Sequence, residues 1–297
     1  MDTRQMRYFV ALAETLHFGR AAARMNMTQP PFSRQIANLE RDLGVTLVER
    51  TSRQVSLTPA GQRFLKDSRA VLAQFEAACR DARLVAEGQK GELRLGFMMH
   101  AAHRIVPRLV GGYTAIRPDV RVSLSETTPA EIETKLLNRD LDAGITFSGG
   151  TMPQLESLPV VTDRLCLVAP LSHPLADFET VGPWDLRDAD LIAAPSEIAE
   201  NLRRKIADYL AADGIVPRFR FEPQLQNTIL RLVAAGLGVA LVPESICDGQ
   251  LSDIVARPLR NAPTLEVVLK VRREADNPAV APLLELIRTE SFSVRAE

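Results

Sequence analysis

Apolar and polar positions alternate along this chain in two ways, helical at the front and mixed helix and strand behind. In residues 3–15, Met6, Phe9, Val10 and Ala13 share one face of a helix. Phe18, Ala21, Ala22 and Met25 do the same on a short second helix, which Asn26, Met27 and Thr28 break. Thr28 is placed to cap a third helix, on which Phe32, Ile36, Leu39 and Leu43 point inward. After Gly44 the chain turns extended, and Val45–Arg50 with Val55–Leu57 predict a small two-stranded wing. Thr58-Pro59 then opens a helix reaching about Glu87. Along it Gly61, Phe64, Ser68, Val71, Phe75, Ala78, Ala82 and Val85 recur at spacings of three and four, a heptad seam widened by Leu65, Leu72 and Cys79. A lone surface helix has no use for so long a stripe, so Phe64, Val71, Phe75, Ala78, Ala82 and Val85 are expected to meet a second copy of the chain.

From Glu92 the pattern changes, after a hinge at Gly88-Gln89-Lys90-Gly91. Strands are expected at Leu93–Phe97, Val120–Glu126 and Ala143–Phe147, with helices at Ala101–Ile116 and Pro129–Asn138. This βαβαβ order calls for a parallel sheet with helices on its faces. A second run follows, with strands at Leu165–Ala169, Leu191–Ala194, Phe219–Glu222, Gly238–Val242 and Leu265–Val271. Its helices fall at Asn201–Asp213 and Gln226–Ala235, and a last one at Val280–Thr289. Two such halves joined by crossovers near Val160–Arg164 and Leu265–Lys270 resemble the domain type of periplasmic solute-binding proteins. The fold class is thus α+β overall: a winged helix-turn-helix at 1–58, a linker or dimerisation helix at 59–87, a hinge at 88–91 and an α/β domain at 92–297. Its subdomain I comprises 92–161 and 269–297, and subdomain II 162–268.

Composition changes this picture little. A chain of 297 residues with 46% hydrophobic and 25% charged residues is ordinary for a globular protein. The net charge of −1 hides an asymmetry: 13 basic against 9 acidic residues up to residue 87, and 23 against 28 beyond it. A basic front on an acidic body fits an end that meets phosphates and a body that stays off them. The N-terminus lacks the apolar core of a signal peptide, and no apolar run is long enough to span a membrane, which points to the cytoplasm. The three cysteines, Cys79, Cys166 and Cys247, are too few and too scattered for a disulfide framework or a zinc site. Buried packing thiols are the expectation. No metal or cofactor is implied.

The polar face of the third helix carries the clearest chemistry. Arg34 suits a two-pronged contact with guanine, Gln29 with adenine, and Ser33 a phosphate. Pro30 and Pro31 offer a flat apolar surface for a thymine methyl. With Thr28 these form the entry of a recognition helix into the major groove, while Arg50 and Arg53 at the wing reach phosphate or minor groove. A solvated loop is the alternative for Arg53, and an αα-hairpin with a hydrated face is the alternative for the pair of helices.

The run AAARMNMTQPPFSRQIANLERDLGVTLVERTSRQVSLTPAG resembles the DNA-binding domain of LysR-type transcriptional regulators, and the likeness extends through linker and body. The Gln-Pro-Pro-Phe-Ser variant is similar to members that respond to aromatic acids. The resemblance implies a homodimer or homotetramer on an interrupted inverted repeat of double-stranded DNA. It also implies a small-molecule effector, activation of a catabolic operon and contact with RNA polymerase. Some relatives sense oxidants through paired cysteines, a role open to Cys166 and Cys247.

Ligands of such α/β sheets bind outside the strand ends, between the halves. The loops there hold Met98, Met99 and His100, then Thr127, Thr128 and Pro129, then Phe147, with Pro195, Ser196, Gln226, Asn227 and Thr228 from the second half. Hydroxyls, amides and helix N-termini beside an apolar wall suit a small, partly apolar carboxylate, and the resemblance implies an aromatic or other small one. His100 departs from the small hydroxyl residue of many relatives, and brings a positive charge or shrinks the pocket. Any one of these residues has helix capping as its plain alternative. Two other classes stand as alternatives: an enzyme, for which no phosphate loop, nucleophile elbow or metal cluster is present, and a solute-binding protein with an N-terminal extension.

Overall fold

A computed structural model describes residues 1–50, 54–149, 152–247 and 252–289. The chain divides into two compact units, Met1–Leu84 and Val85–Glu297.

The first unit is built on three short helices, α1 (Thr3–Thr15), α2 (Phe18–Arg24) and α3 (Gln29–Leu43). Asp2 and Gln5 cap α1 reciprocally, and Leu16 ends it in the left-handed region. The buried face of α1 is Tyr8, Phe9, Ala11 and Leu12, while Met6, Val10 and Ala13 are half-buried. The stripe is therefore turned from the expected one. The physical reason is that α1 is covered on several sides: Tyr8 meets Phe32 of α3 at 5.7 Å between ring centroids, and Phe9 meets Phe64 at 5.2 Å. Phe32, Ile36 and Leu39 of α3 are fully buried, and Gly44 closes the helix in a left-handed conformation.

The wing is shorter than its apolar run: β1 (Val48–Arg50) pairs antiparallel with β2 (Val55–Leu57). The amides of Leu47 and Val48 go to the Glu40 carboxylate at 2.9 and 3.0 Å, which anchors the wing to α3. Thr58 caps the long helix α4 (Pro59–Ala86), its hydroxyl accepting from Gly61 N–H at 2.9 Å. Gly61 is required because a Cβ there would sit 2.1 Å from the Leu47 carbonyl oxygen. The seam on α4 splits in two. Gly61, Ser68 and Leu72 are buried and Phe64 and Leu65 half-buried, so Phe64 belongs to the core of its own chain. Val71, Phe75, Ala78, Ala82 and Val85 stay exposed, and so does Cys79 beside them.

Gly88 ends α4 at φ 64°, pressed so closely on the Pro278 carbonyl that a Cβ would meet it at 2.5 Å. The second unit begins with β3 (Gly91–Phe97), α5 (Ile105–Ile116), β4 (Val120–Glu126), α6 (Pro129–Leu137) and β5 (Ala143–Phe147). β3 lies between β4 and β5, parallel to both, as the pattern predicted. Its second half contains β6 (Leu155–Pro170), β7 (Asp190–Ile192), α7 (Ser196–Ala211), β8 (Arg218–Phe221), α8 (Gln226–Ala234), β9 (Ala240–Pro243) and β10 (Ile254–Pro258). β11 (Thr264–Arg272) and α9 (Val280–Thr289) complete it.

The two segments expected as crossovers lie in β6 and β11, but their antiparallel pairing into one spine was not expected. β6 pairs antiparallel with β11 up to Arg164 and with β9 and β10 from Leu165. One long strand thus runs through both halves, and the sheet is mixed. Residues 155–164 hide this role because Pro159 and charged residues interrupt their apolar run, and the ladder shifts register opposite Val267 and Val268. β10 also escaped, because of Ile254–Pro258 only Ile254 is buried, which leaves little apolar pattern to mark a strand. Leu95, Leu109, Ile145, Leu167, Leu241 and Leu269 lie in the continuous core, and Tyr113 donates its hydroxyl to the Ala279 carbonyl at 2.8 Å, tying α5 to α9.

Candidate functional site

Two surfaces carry chemistry, one in each unit. On α3, Thr28, Gln29, Pro30 and Arg34 are exposed and Pro31 and Ser33 half-buried. Arg50 extends from the wing with its guanidinium 4.2 Å from the centre of the Phe18 ring and donates to Ser33 Oγ at 3.1 Å. These residues form one polar face at the N-terminal end of α3. Arg53 lies outside the described residues. Thr28 does not cap the helix through its side chain. The reason is chemical: the positions whose N–H an N-cap hydroxyl would receive are Pro30 and Pro31, which have none. Its hydroxyl therefore remains exposed with the rest of the face.

The second surface is a cavity of about 790 Å³ within the second unit. Met98, Met99, His100, Thr127, Thr128, Pro129, Phe147 and Gln226 all line it. Pro195, Ser196, Asn227 and Thr228 do not. α7 begins at Ser196 but breaks at Ala199, whose φ of −129° and ψ of 45° are non-helical, so the wall is formed by residues past its first position, including Glu197, Ile198 and Leu202. From α8 only Gln226 contributes, with Leu225 before it, while Asn227 and Thr228 are exposed. A helix pattern locates these starts and leaves open which side chain of the first turn faces the cavity.

His100 sits on a short 3-10 turn, Met99–Ala101, where a continuous helix from Ala101 was expected. Its ring lies 5.1 Å from that of Phe147, and both ring nitrogens are buried without a hydrogen-bond partner. Burial, with a smaller contribution from the charge of His103, pushes its pKa down to about 4. His100 is neutral at physiological pH, so it fills the pocket and does not bring a positive charge. Thr128 caps α6 in a reciprocal box: its hydroxyl accepts from Glu131 N–H at 3.4 Å and its own N–H donates to the Glu131 carboxylate at 3.3 Å. The Thr127 hydroxyl also bonds that carboxylate, and these bonds hold Glu131 below the usual carboxylate range. At the edge of the cavity the buried Lys270 ammonium pairs with Glu133 and donates to the Gly149 carbonyl at 2.9 Å, fixing α6 to the end of β5.

The Cys166 and Cys247 sulfurs lie 3.2 Å apart. The Cys247 thiol and burial together push the Cys166 pKa upward, which holds Cys166 in its protonated form beside Cys247. Among the described residues no group of histidine, cysteine, aspartate and glutamate side chains forms a metal site, and no helix is long and apolar enough to cross a membrane.

Comparison with known proteins addresses both surfaces. The family model described as bacterial regulatory helix-turn-helix protein, lysR family, matches residues 3–62, and that of the LysR substrate binding domain matches residues 86–291. The chain is 33% identical to the transcriptional regulator AlsR of Bacillus subtilis, with 96% of this chain and 95% of that protein covered. It is 36% identical to the regulator IlvR of Caulobacter vibrioides, with 97% of each covered. A crystal structure of full-length CbnR complexed with its target DNA superposes with a TM-score of 0.85 at 29% identity, over 97% of this chain and 99% of that one. These relatives are transcriptional regulators, so neither an enzyme nor a solute-binding protein with an extension describes the chain. With a helix-turn-helix domain followed by a substrate-binding domain, it belongs to the family of LysR-type transcriptional regulators.

Proposed function

We propose that this regulator acts in the cytoplasm as a homodimer, assembling to a tetramer, on an interrupted inverted repeat of double-stranded DNA. In this reading residues 1–58 bind DNA, 59–87 pair with a second copy, 88–91 act as a hinge and 92–297 respond to the effector. The observation that carries it is the polar face at the start of α3, where Gln29 and Arg34 are exposed beside Ser33 and the Arg50 of the wing. Gln29 and Arg34 read bases, and Thr28, Pro30, Pro31, Ser33 and Arg50 fix register on backbone and methyl groups. Two half-sites bound together compensate for the small size of one such face.

The exposed stripe on α4 supports dimerisation. Val71 is 44%, Phe75 45% and Val85 46% exposed, and they continue the spacing of a coiled-coil seam. Phe75→Asp is expected to shift the protein to monomers in analytical ultracentrifugation and to weaken operator binding with it. An unchanged dimer would remove this stripe from the interface.

The cavity between the halves is the effector site, and its closure shifts how dimers present their DNA-binding faces. The wall of Met98, Met99 and Phe147 supports an apolar, aromatic body for the effector. Activation of a neighbouring catabolic operon through RNA polymerase is the regulatory outcome proposed; a relative 29% identical is named the Hca operon transcriptional activator HcaR.

A mobility-shift assay on DNA upstream of the protein's own gene tests the whole, at fixed salt because phosphate contacts make affinity salt-dependent. A sequence-specific shift altered by one compound of a panel of small aromatic and aliphatic molecules is expected. Absence of any specific shift at low and moderate salt would sink the assignment of this DNA as its target.

A further inference from the structure

The charges around the cavity speak against an acid as the effector. Five carboxylates line it, Glu126, Glu131, Glu133, Glu197 and Glu200, against Arg204 as the lining cation among the described residues. Part of this charge is answered within the chain: Glu133 pairs with Lys270, and Glu200 lies 3.9 Å from Arg204. Glu126, at the end of β4, and Glu197, on α7, form no ion pair among the described residues, and they come from opposite halves.

Of the helix starts at the cavity, those of α6 and α7 carry the chain's own acids in the first turn, whereas that of α8 carries none. Pro129 removes one N–H from the start of α6, the Thr128 hydroxyl takes another, and Glu131 places its carboxylate over the first turn. Glu197 stands in the first turn of α7. A carboxylate on a helix N-terminus compensates the positive end of its dipole, so at α6 and α7 an incoming anion finds little attraction and several like charges.

The innermost polar groups are uncharged. Gln226 is only 6% exposed, lines the cavity, and its side-chain amide nitrogen has no hydrogen-bond partner. An unpartnered buried donor costs free energy until an acceptor is supplied, which points to a ligand atom at that place. The two buried nitrogens of neutral His100 offer one further donor and one acceptor.

Resting on the reading of this cavity as the effector site, we propose that the effector is a small organic amine. Its ammonium lies towards Glu126 and Glu197, its apolar body against Met99 and Phe147, and a neutral hydroxyl or carbonyl reaches Gln226 and His100. A cation between carboxylates of the two halves also removes their repulsion, so its binding favours closure of the cavity.

Matched probes test this on the full-length protein, by calorimetry and thermal shift at fixed low salt because exposed carboxylates are screened. One set is tyramine, its neutral counterpart tyrosol and its acid counterpart phloretic acid; a second is benzylamine, benzyl alcohol and benzoate. The amine of a set is expected to bind about tenfold more tightly than its acid, a difference of ~1.4 kcal/mol. In the Glu126→Gln/Glu197→Gln double variant, whose folding is checked by circular dichroism, that preference should collapse towards equality. Gln226→Leu should weaken the amine and the alcohol alike. An acid binding as tightly as its amine, or a preference unmoved by the double variant, overturns the amine assignment. If Gln226→Leu still weakens that acid, the effector cavity itself survives. Binding by no member of either set, or binding indifferent to Gln226→Leu, removes both.

Discussion

Two helices of this protein begin almost identically and end up with opposite chemistry. α3 starts Thr28-Gln29-Pro30-Pro31 and α6 starts Thr128-Pro129-Ala130-Glu131. In α6 proline takes the first helical position, where the missing N–H costs little, and the third position keeps an N–H that Thr128 receives. In α3 prolines take the second and third positions, so Thr28 has nothing to receive and its hydroxyl stays exposed. Glu131 completes the closure of α6, whereas the first turn of α3 holds no acid. The lesson is that one shift of a proline along a helix start decides whether it caps itself or remains open to a partner.

The open start is the one that should lose most on mutation. Arg34→Ala is expected to weaken operator binding of the dimer about 100-fold, because each half-site loses about 1–3 kcal/mol of base recognition. A mobility-shift titration reads this directly, and an affinity within twofold of the original would break the assignment of the α3 face.

The cavity should answer to acid instead. His100 has a folded pKa of about 4, below its usual 6.5, so the unfolded chain takes up a proton between these values that the folded chain refuses. Stability therefore falls as pH drops through about 6.5, by roughly 2 kcal/mol at pH ~5. Urea unfolding at about pH 7 and pH 5 should show this loss, and His100→Asn should reduce it. An equal loss in the variant would show that other groups govern acid sensitivity.

Opening the closed start sharpens the contrast further. Glu131→Ala removes half the capping box and is expected to cost about 1 kcal/mol in the same unfolding experiment. It should also raise the affinity for phloretic acid relative to tyramine, since one carboxylate leaves the cavity. The smallest effect is expected from closing the open start. Pro31→Ala restores an N–H for Thr28 to cap, which should stabilise the helix by up to about 1 kcal/mol and lower operator affinity by no more than about threefold. A destabilised variant would show that the two prolines have another structural role.

Local patterns were the readable ones. Phe32, Ile36 and Leu39 announced α3, and the run from Ala21 to Gly61 carried the family resemblance, because a helix-turn-helix is specified by side chains a few residues apart. The crossover segments in β6 and β11 were legible, but their antiparallel pairing was not, since the two strands meet across about a hundred residues and Pro159 masks the alternation. The buried face of α1 is hidden for a related reason: Phe64 packs on Phe9 from far along the chain. In the cavity, the loops after β3, β4 and β5 supplied lining residues as their strand ends foretold. Ser196, Asn227 and Thr228 fell outside it, because a break at Ala199 and the rotation of α8 select other side chains of the same turns.

The order and type of most elements, the exposed polar face of α3 and the apolar stripe that outruns its own core are all legible along the chain. Each is a matter of spacing along one helix or strand, where period and proline position suffice. How that stripe divides between the chain's own core and a free surface emerges only on folding. Folding also leaves His100 neutral and Gln226 buried without a partner, and it gathers carboxylates from two halves of the domain around one cavity. Burial and net charge at a site are sums over residues distant in the chain, and they exist only once the fold has brought those residues together.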